Sequence, residues 1–195
     1  MNNTINIAVV GLGQVGIYLL NELNTKKKEI ELKTGKKINV VAVSAKNINK
    51  KRQFKVNKKI FFKNPLEIFN KKKVDILFEA IGLSDGISKK VVETALKKKI
   101  HVITPNKALI SKHGNELAKI AELNNVNLEF EASVAGGIPI LRSIKEGLAT
   151  NKISKVYGIL NGTSNYILSE MENSNQSFSD VLKKAQKLGY AEPGN

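Results

Sequence analysis

The sequence predicts an α/β protein organised on a doubly wound, mainly parallel sheet. Two observations carry that expectation. A β-branched and apolar run, Ile5-Asn6-Ile7-Ala8-Val9-Val10, feeds straight into Gly11-Leu12-Gly13-Gln14-Val15-Gly16, and a helical pattern follows through Tyr18, Leu19, Leu20 and Leu23. Beyond it, strand-like and helical stretches alternate as far as Phe130. Alternation of that kind implies right-handed βαβ units whose strands lie parallel.

Each glycine of the first turn has a physical task. Gly11 permits the tight turn, Gly13 lets the backbone approach a pyrophosphate, and Gly16 lets the helix pack closely on the strand. The first amides of the helix, from Gln14 and Val15 onward, then face phosphate with their partial positive charge. A lone glycine hexad is weak evidence. Between a buried strand and a helix it points to a Rossmann-type dinucleotide site rather than a plain glycine-rich turn.

The remaining elements follow in order. The first helix runs from about Gln14 to about Asn24 or further, and lysine-rich residues lead on to Gly35. Ile38–Ser44 is the second strand. An acidic residue at its end would grip a ribose 2′-hydroxyl, but Ser44-Ala45-Lys46-Asn47 stands there, with Lys50, Lys51 and Arg52 close by. A hydroxyl with cations suits a 2′-phosphate, so NADP is favoured over NAD. The same lysines also fit the general lysine excess of the chain.

Phe54–Phe62 is irregular or a short strand, and Asn64-Pro65-Leu66-Glu67 starts a helix with Asn64 as cap and Pro65 in the first position. Val74–Gly82 is a strand running into a loop. Ser84 or Asp85 caps the next helix, whose apolar stripe is Ile87, Val91, Val92, Ala95 and Leu96. Ile100–Ile103 is a strand ending in Thr104-Pro105-Asn106-Lys107, and a helix through Leu109, Leu117 and Ile120 reaches Leu123. Val126–Glu131 is the next strand, with Glu129 and Glu131 on one face, followed by Ala132–Pro139. Ligands of such sheets bind beyond the carboxyl ends of the strands. Segments 11–16, 44–47, 79–84 and 104–107, with 131–138 as a fifth, should therefore converge on one crevice. From about Thr150 the pattern changes. A strand over Ile153–Leu160 leads to Asn161-Gly162-Thr163, and two helices cover about Thr163–Glu172 and Ser179–Leu188.

Composition narrows the function classes. The chain has 195 residues and no cysteine, which removes disulfides, thiol catalysis and cysteine-held zinc. No apolar run is long enough to span a membrane, and the N-terminus enters a strand without a signal-peptide pattern, so no membrane partner and a cytoplasmic location are expected. The net charge is +15, but of 32 basic residues only Arg52 and Arg142 are arginines. Nucleic-acid readers favour arginine forks and interleaved aromatics, so the lysines read as a solvated surface and no specific nucleic-acid partner is expected. His101 reads as a strand residue and His113 as surface, neither with a carboxylate or metal-ligand spacing nearby.

Taken together, Gly11–Gly16, Glu79-Ala80-Ile81-Gly82, Thr104-Pro105-Asn106-Lys107-Ala108-Leu109, Glu131–Pro139, Gly158–Tyr166 and Leu188-Gly189-Tyr190-Ala191-Glu192-Pro193 resemble homoserine dehydrogenase, in the family's order and over nearly the whole chain. Asn161-Gly162-Thr163-Ser164-Asn165-Tyr166 and Gly189-Tyr190-Ala191-Glu192-Pro193 are the most discriminating. The resemblance implies an NAD(P)-binding domain over residues 1–150 and the start of an α+β substrate and dimerisation domain over 151–195. It implies NAD(P)H-dependent reduction of L-aspartate 4-semialdehyde to L-homoserine, on the route to threonine and methionine.

By that resemblance, Ala80, Ile81, Gly82, Thr104, Pro105 and Asn106 join the glycine turn, Ser44 and Lys46 in holding the cofactor. Lys107 lies near nicotinamide and substrate as the catalytic residue, although by itself it reads as an ordinary first-turn helix lysine. Glu192 binds the substrate amino group, with Lys107, Gly162 and Thr163 beside it. Glu131, Val134, Gly136 and Ile138 hold a monovalent cation, usually sodium, largely through backbone carbonyls; otherwise they form a glycine-rich turn whose carbonyls see water.

The family pattern continues beyond Pro193 with an aspartate-rich segment and a second catalytic lysine, where this sequence has Gly194 and Asn195. The chain is therefore expected to be a fragment, a truncated product or one piece of a split protein. Its homodimer region and the last strands of its nucleotide domain would be incomplete and its apolar surface exposed. It would turn over poorly or not at all, and a non-catalytic NAD(P)-binding module is the alternative.

Overall fold

Strict alternation in β1 (Thr4–Val10) decides the layering. Ala8 and Val10 point to one side, Ile7 and Val9 to the other, and all four are buried. A strand apolar on both faces belongs in the middle of a covered parallel sheet. The computed structural model describes residues 3–159 and 161–191. The first of its two units ends at Ala149 and the second begins at Thr150.

In the first unit β1 is flanked by β2 (Lys37–Ser44) and β4 (Ile76–Glu79). β3 (Phe61–Phe62), β5 (His101–Ile103) and β6 (Leu128–Glu129) complete a sheet in the order β3-β2-β1-β4-β5-β6, every pairing parallel. This is the doubly wound order, with its switch point at β1 and β4. α1 (Gln14–Thr25) and α2 (Lys27–Thr34) cover one face, where Leu19, Leu20, Leu23 and Ile30 pack on Ile7, Val9, Ile38 and Val43. α3 (Ile68–Lys71), α4 (Ile87–Lys97) and α5 (Lys107–Leu123) cover the other. There Ile68, Val91, Val92, Leu96, Leu109 and Leu117 close over Ala8, Val10, Leu77 and Val102.

The start near Asn64 follows its sequence signals. Asn64 Oδ1 accepts from Leu66 N at 3.1 Å with Pro65 in the first position, although the first turn, Pro65–Glu67, is 3₁₀ before α3 begins. α4 begins differently from expectation. Its cap is Gly86 at φ +64, with neither Ser84 nor Asp85 bonded to the helix amides. Asp85 has been recruited elsewhere, by Lys112 and His113 of α5 at 2.8 and 2.9 Å and by Ser84 at 2.6 Å. His113 is accordingly half-buried and has carboxylates beside it, since its side chain is 14% exposed and Glu116 stands 3.7 Å from Nδ1.

The Lys112 ammonium, with Ser84 and His113, holds the Asp85 carboxyl well below the ordinary value of 3.8. A carboxyl lowered in the folded state contributes stability above its ordinary value and loses it as pH falls through the folded one. Asp85→Asn should therefore lower the unfolding temperature slightly at pH 7. The gap to wild type should close as the pH is taken below about 4, the ordinary aspartate range, in paired thermal scans.

Two expected strands change on folding. β6 covers only Leu128–Glu129, because Phe130 leaves the extended region at φ −139, ψ 26 and Glu131 opens the one-turn helix α6 (Glu131–Val134). Glu129 and Glu131 thus share no strand face. The stretch expected to be a strand over 153–160 has no regular structure over 152–157, and Leu160 lies outside the described residues. A strand is held by its neighbour's ladder, and no described residue of the second unit offers one. Ile153, Val156, Tyr157 and Ile159 are exposed, as are Ile138, Ile140 and Leu148 of the first unit, which matches the exposed apolar surface expected from the sequence.

After α7 (Ile140–Arg142) a π-helical turn spans Ser143–Gly147. The described residues of the second unit are helical where they are regular. α8 (Gly162–Ser174), capped by Asn161 on Ser164 N at 2.8 Å, packs against α9 (Phe178–Lys187) through Ile167, Val181 and Ala185.

Candidate functional site

At the carboxyl edge of the sheet, hydrogen bonds and close approaches tie the expected segments together. Gly11 takes φ +96, and its N–H donates to Ser44 O at 2.9 Å. Ala80 N donates to Val10 O at 2.7 Å, which lays the 80–82 loop on the glycine turn. A Cβ on Gly11 would stand 2.3 Å from the Ala80 carbonyl carbon and oxygen. One on Gly16 would stand 1.9 Å from Gly11 O. Gly16 therefore lets α1 close onto the turn itself more than onto the strand. Gly13 differs, since it caps α1 at φ −75 and a Cβ there would meet nothing within 4 Å. Gln14 and Val15 are exposed beside it, so the open side of the turn presents bare backbone at a helix N-terminus. That is the surface a pyrophosphate requires.

At the end of β2 the side chains divide their work in a way the sequence did not disclose. Ser44 is buried and Lys46 exposed. Arg52, expected among the free cations, spends its guanidinium on backbone. It donates to Asn47 O at 2.8 Å, Lys50 O at 3.0 Å, Ile48 O at 3.2 Å and, through Nε, to Leu12 O at 3.3 Å. Four of five N–H donors are thus committed, and they staple the 47–52 loop to the glycine turn. The exposed cations left at this edge are Lys46, Lys50 and Lys51, and a cavity of about 760 Å³ opens beside the last two, lined also by Lys55, Lys58 and Lys59.

At the ends of β4 and β5 the organising group is Glu79, fully buried, which the sequence placed in segment 79–84 but gave no role of its own. It accepts from Ile81 N at 2.8 Å, Thr104 Oγ1 at 2.7 Å, Ser88 Oγ at 3.1 Å and Asn106 Nδ2 at 3.4 Å. The signal for it was a lone carboxylate closing the apolar strand Ile76-Leu77-Phe78. Asn106 caps α5 through Leu109 N at 3.1 Å, and Lys107 is the first residue of that helix. Ala80, Ile81, Gly82, Thr104, Pro105, Asn106 and Lys107 thus share one edge with the glycine turn.

Thr104 N also donates to Glu129 O at 2.9 Å, which brings the chain leading to Glu131 alongside. The Glu131 carboxylate accepts from Leu141 N at 2.8 Å and Arg142 N at 2.9 Å, closing residues 131–142 into a loop with Val134, Gly136 and Ile138 exposed at its tip. Glu131→Ala leaves the Leu141 and Arg142 amides without their carboxylate acceptor and should cost about 1–3 kcal/mol, read from urea unfolding of the two chains. Among the described residues no group of three histidines or carboxylates is placed to hold a metal. Gly162 and Thr163 lie in the second unit, where Thr163 Oγ1 donates to Tyr190 O. Glu192 lies outside the described residues.

Comparison with known proteins adds the family context. The family described as homoserine dehydrogenase, NAD binding domain, matches residues 11–131, and that described as homoserine dehydrogenase matches 139–195. Homoserine dehydrogenase of Neisseria gonorrhoeae is 44% identical over 188 residues, 96% of this chain and 43% of that protein. The crystal structure of a homoserine dehydrogenase from Thiobacillus denitrificans superposes with a TM-score of 0.81 at 39% identity, covering 98% of this chain and 44% of that one. A hyperthermophilic archaeal homoserine dehydrogenase in complex with NADPH shares the fold at a TM-score of 0.75 and 23% identity, over 97% of this chain and 62% of that one. The chain thus spans less than half the length of the bacterial relatives it matches.

Proposed function

Because the chain belongs to the homoserine dehydrogenase family, we propose that its first unit binds a nicotinamide dinucleotide and serves the reduction of L-aspartate 4-semialdehyde to L-homoserine. The observation that carries this reading is the bare backbone at Gly13, beside loops 80–82 and 104–107 at one edge of the sheet. Gly11, Gly13, Gln14, Val15 and Gly16 would receive the pyrophosphate. Ala80, Ile81, Gly82, Thr104, Pro105 and Asn106 would line the path toward the nicotinamide. Lys46 would meet the adenosine ribose, with the buried Ser44 behind it at the end of β2. Exposed lysines with no carboxylate at the end of β2 support NADP over NAD, the 2′-phosphate meeting Lys46 and its neighbours.

The bound nicotinamide supplies the hydride that reduces the aldehyde carbon. Lys107, at the first turn of α5, would stabilise the developing alkoxide or pass it a proton. Glu192 would bind the substrate amino group, with Gly162 and Thr163 lining the same subsite. Glu131, Val134, Gly136 and Ile138 would hold a monovalent ion such as sodium through backbone carbonyls, hard oxygens without accumulated charge, although the Glu131 and Ile138 carbonyls also accept from Ala135 N at 3.0 Å and Ile140 N at 2.8 Å. Replacing sodium with choline at constant ionic strength should lower the unfolding temperature if the ion is held there. The domain division at about 150, a cytoplasmic location, a small-molecule substrate and a homodimeric whole enzyme belong to the same proposal.

A second reading, a non-catalytic NAD(P)-binding module, draws on the chain spanning 43% of its Neisseria relative. Fluorescence titration with NADPH and NADH, followed by aspartate semialdehyde in the same cuvette, separates the two. Binding with NADPH oxidation supports the enzyme reading. Binding without oxidation favours the module, and binding of neither cofactor sinks both.

A further inference from the structure

We infer that Glu79 is a positioning residue, its buried carboxylate holding the 80–83 and 104–106 loops in register with the first turn of α5. The assignment rests on the cofactor reading above for its consequence, but not for its geometry. Glu79 is 0% exposed, and its partners come from four places: Ile81 in its own loop, Ser88 on α4, Thr104 at the end of β5 and Asn106 at the cap of α5. Ser88, Thr104 and Asn106 are themselves buried.

Every one of these contacts presents a hydrogen to the carboxylate, which has only lone pairs to offer in return. The consequence falls on Asn106. Its Nδ2 is claimed by the two Glu79 oxygens and by Leu83 O at 2.9 Å, all of them acceptors. The amide can then lie only one way round, with Oδ1 turned to the Leu109 amide it caps. Thr104 closes the circuit, donating its hydroxyl to Glu79 Oε2 while its oxygen accepts from Asn106 N at 3.1 Å. The direction of the α5 N-terminus, and so the position of Lys107 at its first residue, is set from β4 through this carboxylate. Glu79 reaches no surface from which it could touch a ligand, so its influence passes through the groups it holds.

A residue that only fills the core would, when altered, loosen the sheet as a whole. A positioning residue loosens one corner. Glu79→Gln keeps the shape and one carbonyl oxygen but replaces the other acceptor with a donor facing Thr104 and Asn106. Hydrogen exchange of the 195-residue chain should show the Asn106 and Leu109 amides opening about tenfold or more faster in this variant, with Leu77 and Val102 amides unchanged. Ser88→Ala, which deletes one donor and leaves the carboxylate, should accelerate the same two amides to a smaller extent, and it decides the matter if E79Q does not fold. NADPH affinity should fall by about tenfold in E79Q, since small displacements of positioned groups are costly to binding and chemistry. If the wild-type chain binds neither NADPH nor NADH, the cofactor reading fails while the exchange pattern still tests Glu79. Wild-type exchange at Asn106 and Leu109 in the folded variants overturns the assignment, as does acceleration spread evenly over Leu77 and Val102.

Discussion

Gly11→Ala should bring the first unit close to unfolding. The substitution meets two independent penalties. At φ +96 an L side chain is strained, which costs on the order of 1–3 kcal/mol. The new methyl would also lie 2.3 Å from the carbonyl of Ala80 and 2.7 Å from Ile81 N, and these are backbone atoms that cannot rotate aside. Overpacking of that kind adds roughly another 1–3 kcal/mol. The sum approaches the 5–15 kcal/mol by which domains of ordinary stability stay folded. Urea unfolding is the direct measure, and a midpoint equal to that of wild type would show that the 80–82 loop moves freely off the turn. Gly16→Ala attacks the same contact from the helix side, since its methyl would sit 1.9 Å from Gly11 O. The two substitutions share one strained turn, so their effects should not add.

How much of this was legible beforehand depends on whether the determinant is local. Five of the six strands, five of the helices that cover or follow them and the Asn64 start were readable because strand alternation, helical periodicity and a proline behind an asparagine act within a few residues, while the two-residue β3 is too short to show alternation. The glycine turn was readable for the same reason. The stapling role of Arg52 was not readable because its decisive partner, Leu12 O, lies forty residues away, and nothing in Lys50-Lys51-Arg52 separates a stapling arginine from its neighbouring lysines. Glu79 was passed over for a similar reason: its value lies in Thr104 and Asn106, which only the parallel pairing of β4 with β5 brings near. Asp85 carried an honest local signal for capping, yet the packing of α4 on α5 offered it Lys112 and His113 instead. The stretch 153–159 has the composition of a strand, but composition cannot supply the neighbour that a strand requires.

Gly13→Ala should do the reverse of Gly11→Ala, leaving the fold intact and abolishing cofactor binding. The backbone at Gly13 sits at φ −75, ψ −164, an extended conformation that alanine adopts without strain. A methyl there meets no atom within 4 Å. Loss of glycine at a helix N-cap costs only a fraction of a kcal/mol to about 1 kcal/mol, so the unfolding midpoint should barely move. The space the methyl would fill is nevertheless the space above the first amides of α1, where a pyrophosphate must come within hydrogen-bonding distance. Holding the anion back by about one carbon diameter removes those bonds, and three lost bonds to a charged group at about 1.5 kcal/mol each amount to at least a hundredfold in affinity. A glycine-rich turn with no ligand gives no reason for residue 13 to be glycine, because neither its conformation nor its surroundings require it. NADPH titration of a well-folded G13A chain therefore isolates the binding role from the structural one. Unaltered NADPH affinity would mean that the dinucleotide does not lie across this turn, and the open backbone at Gly13 would need another explanation.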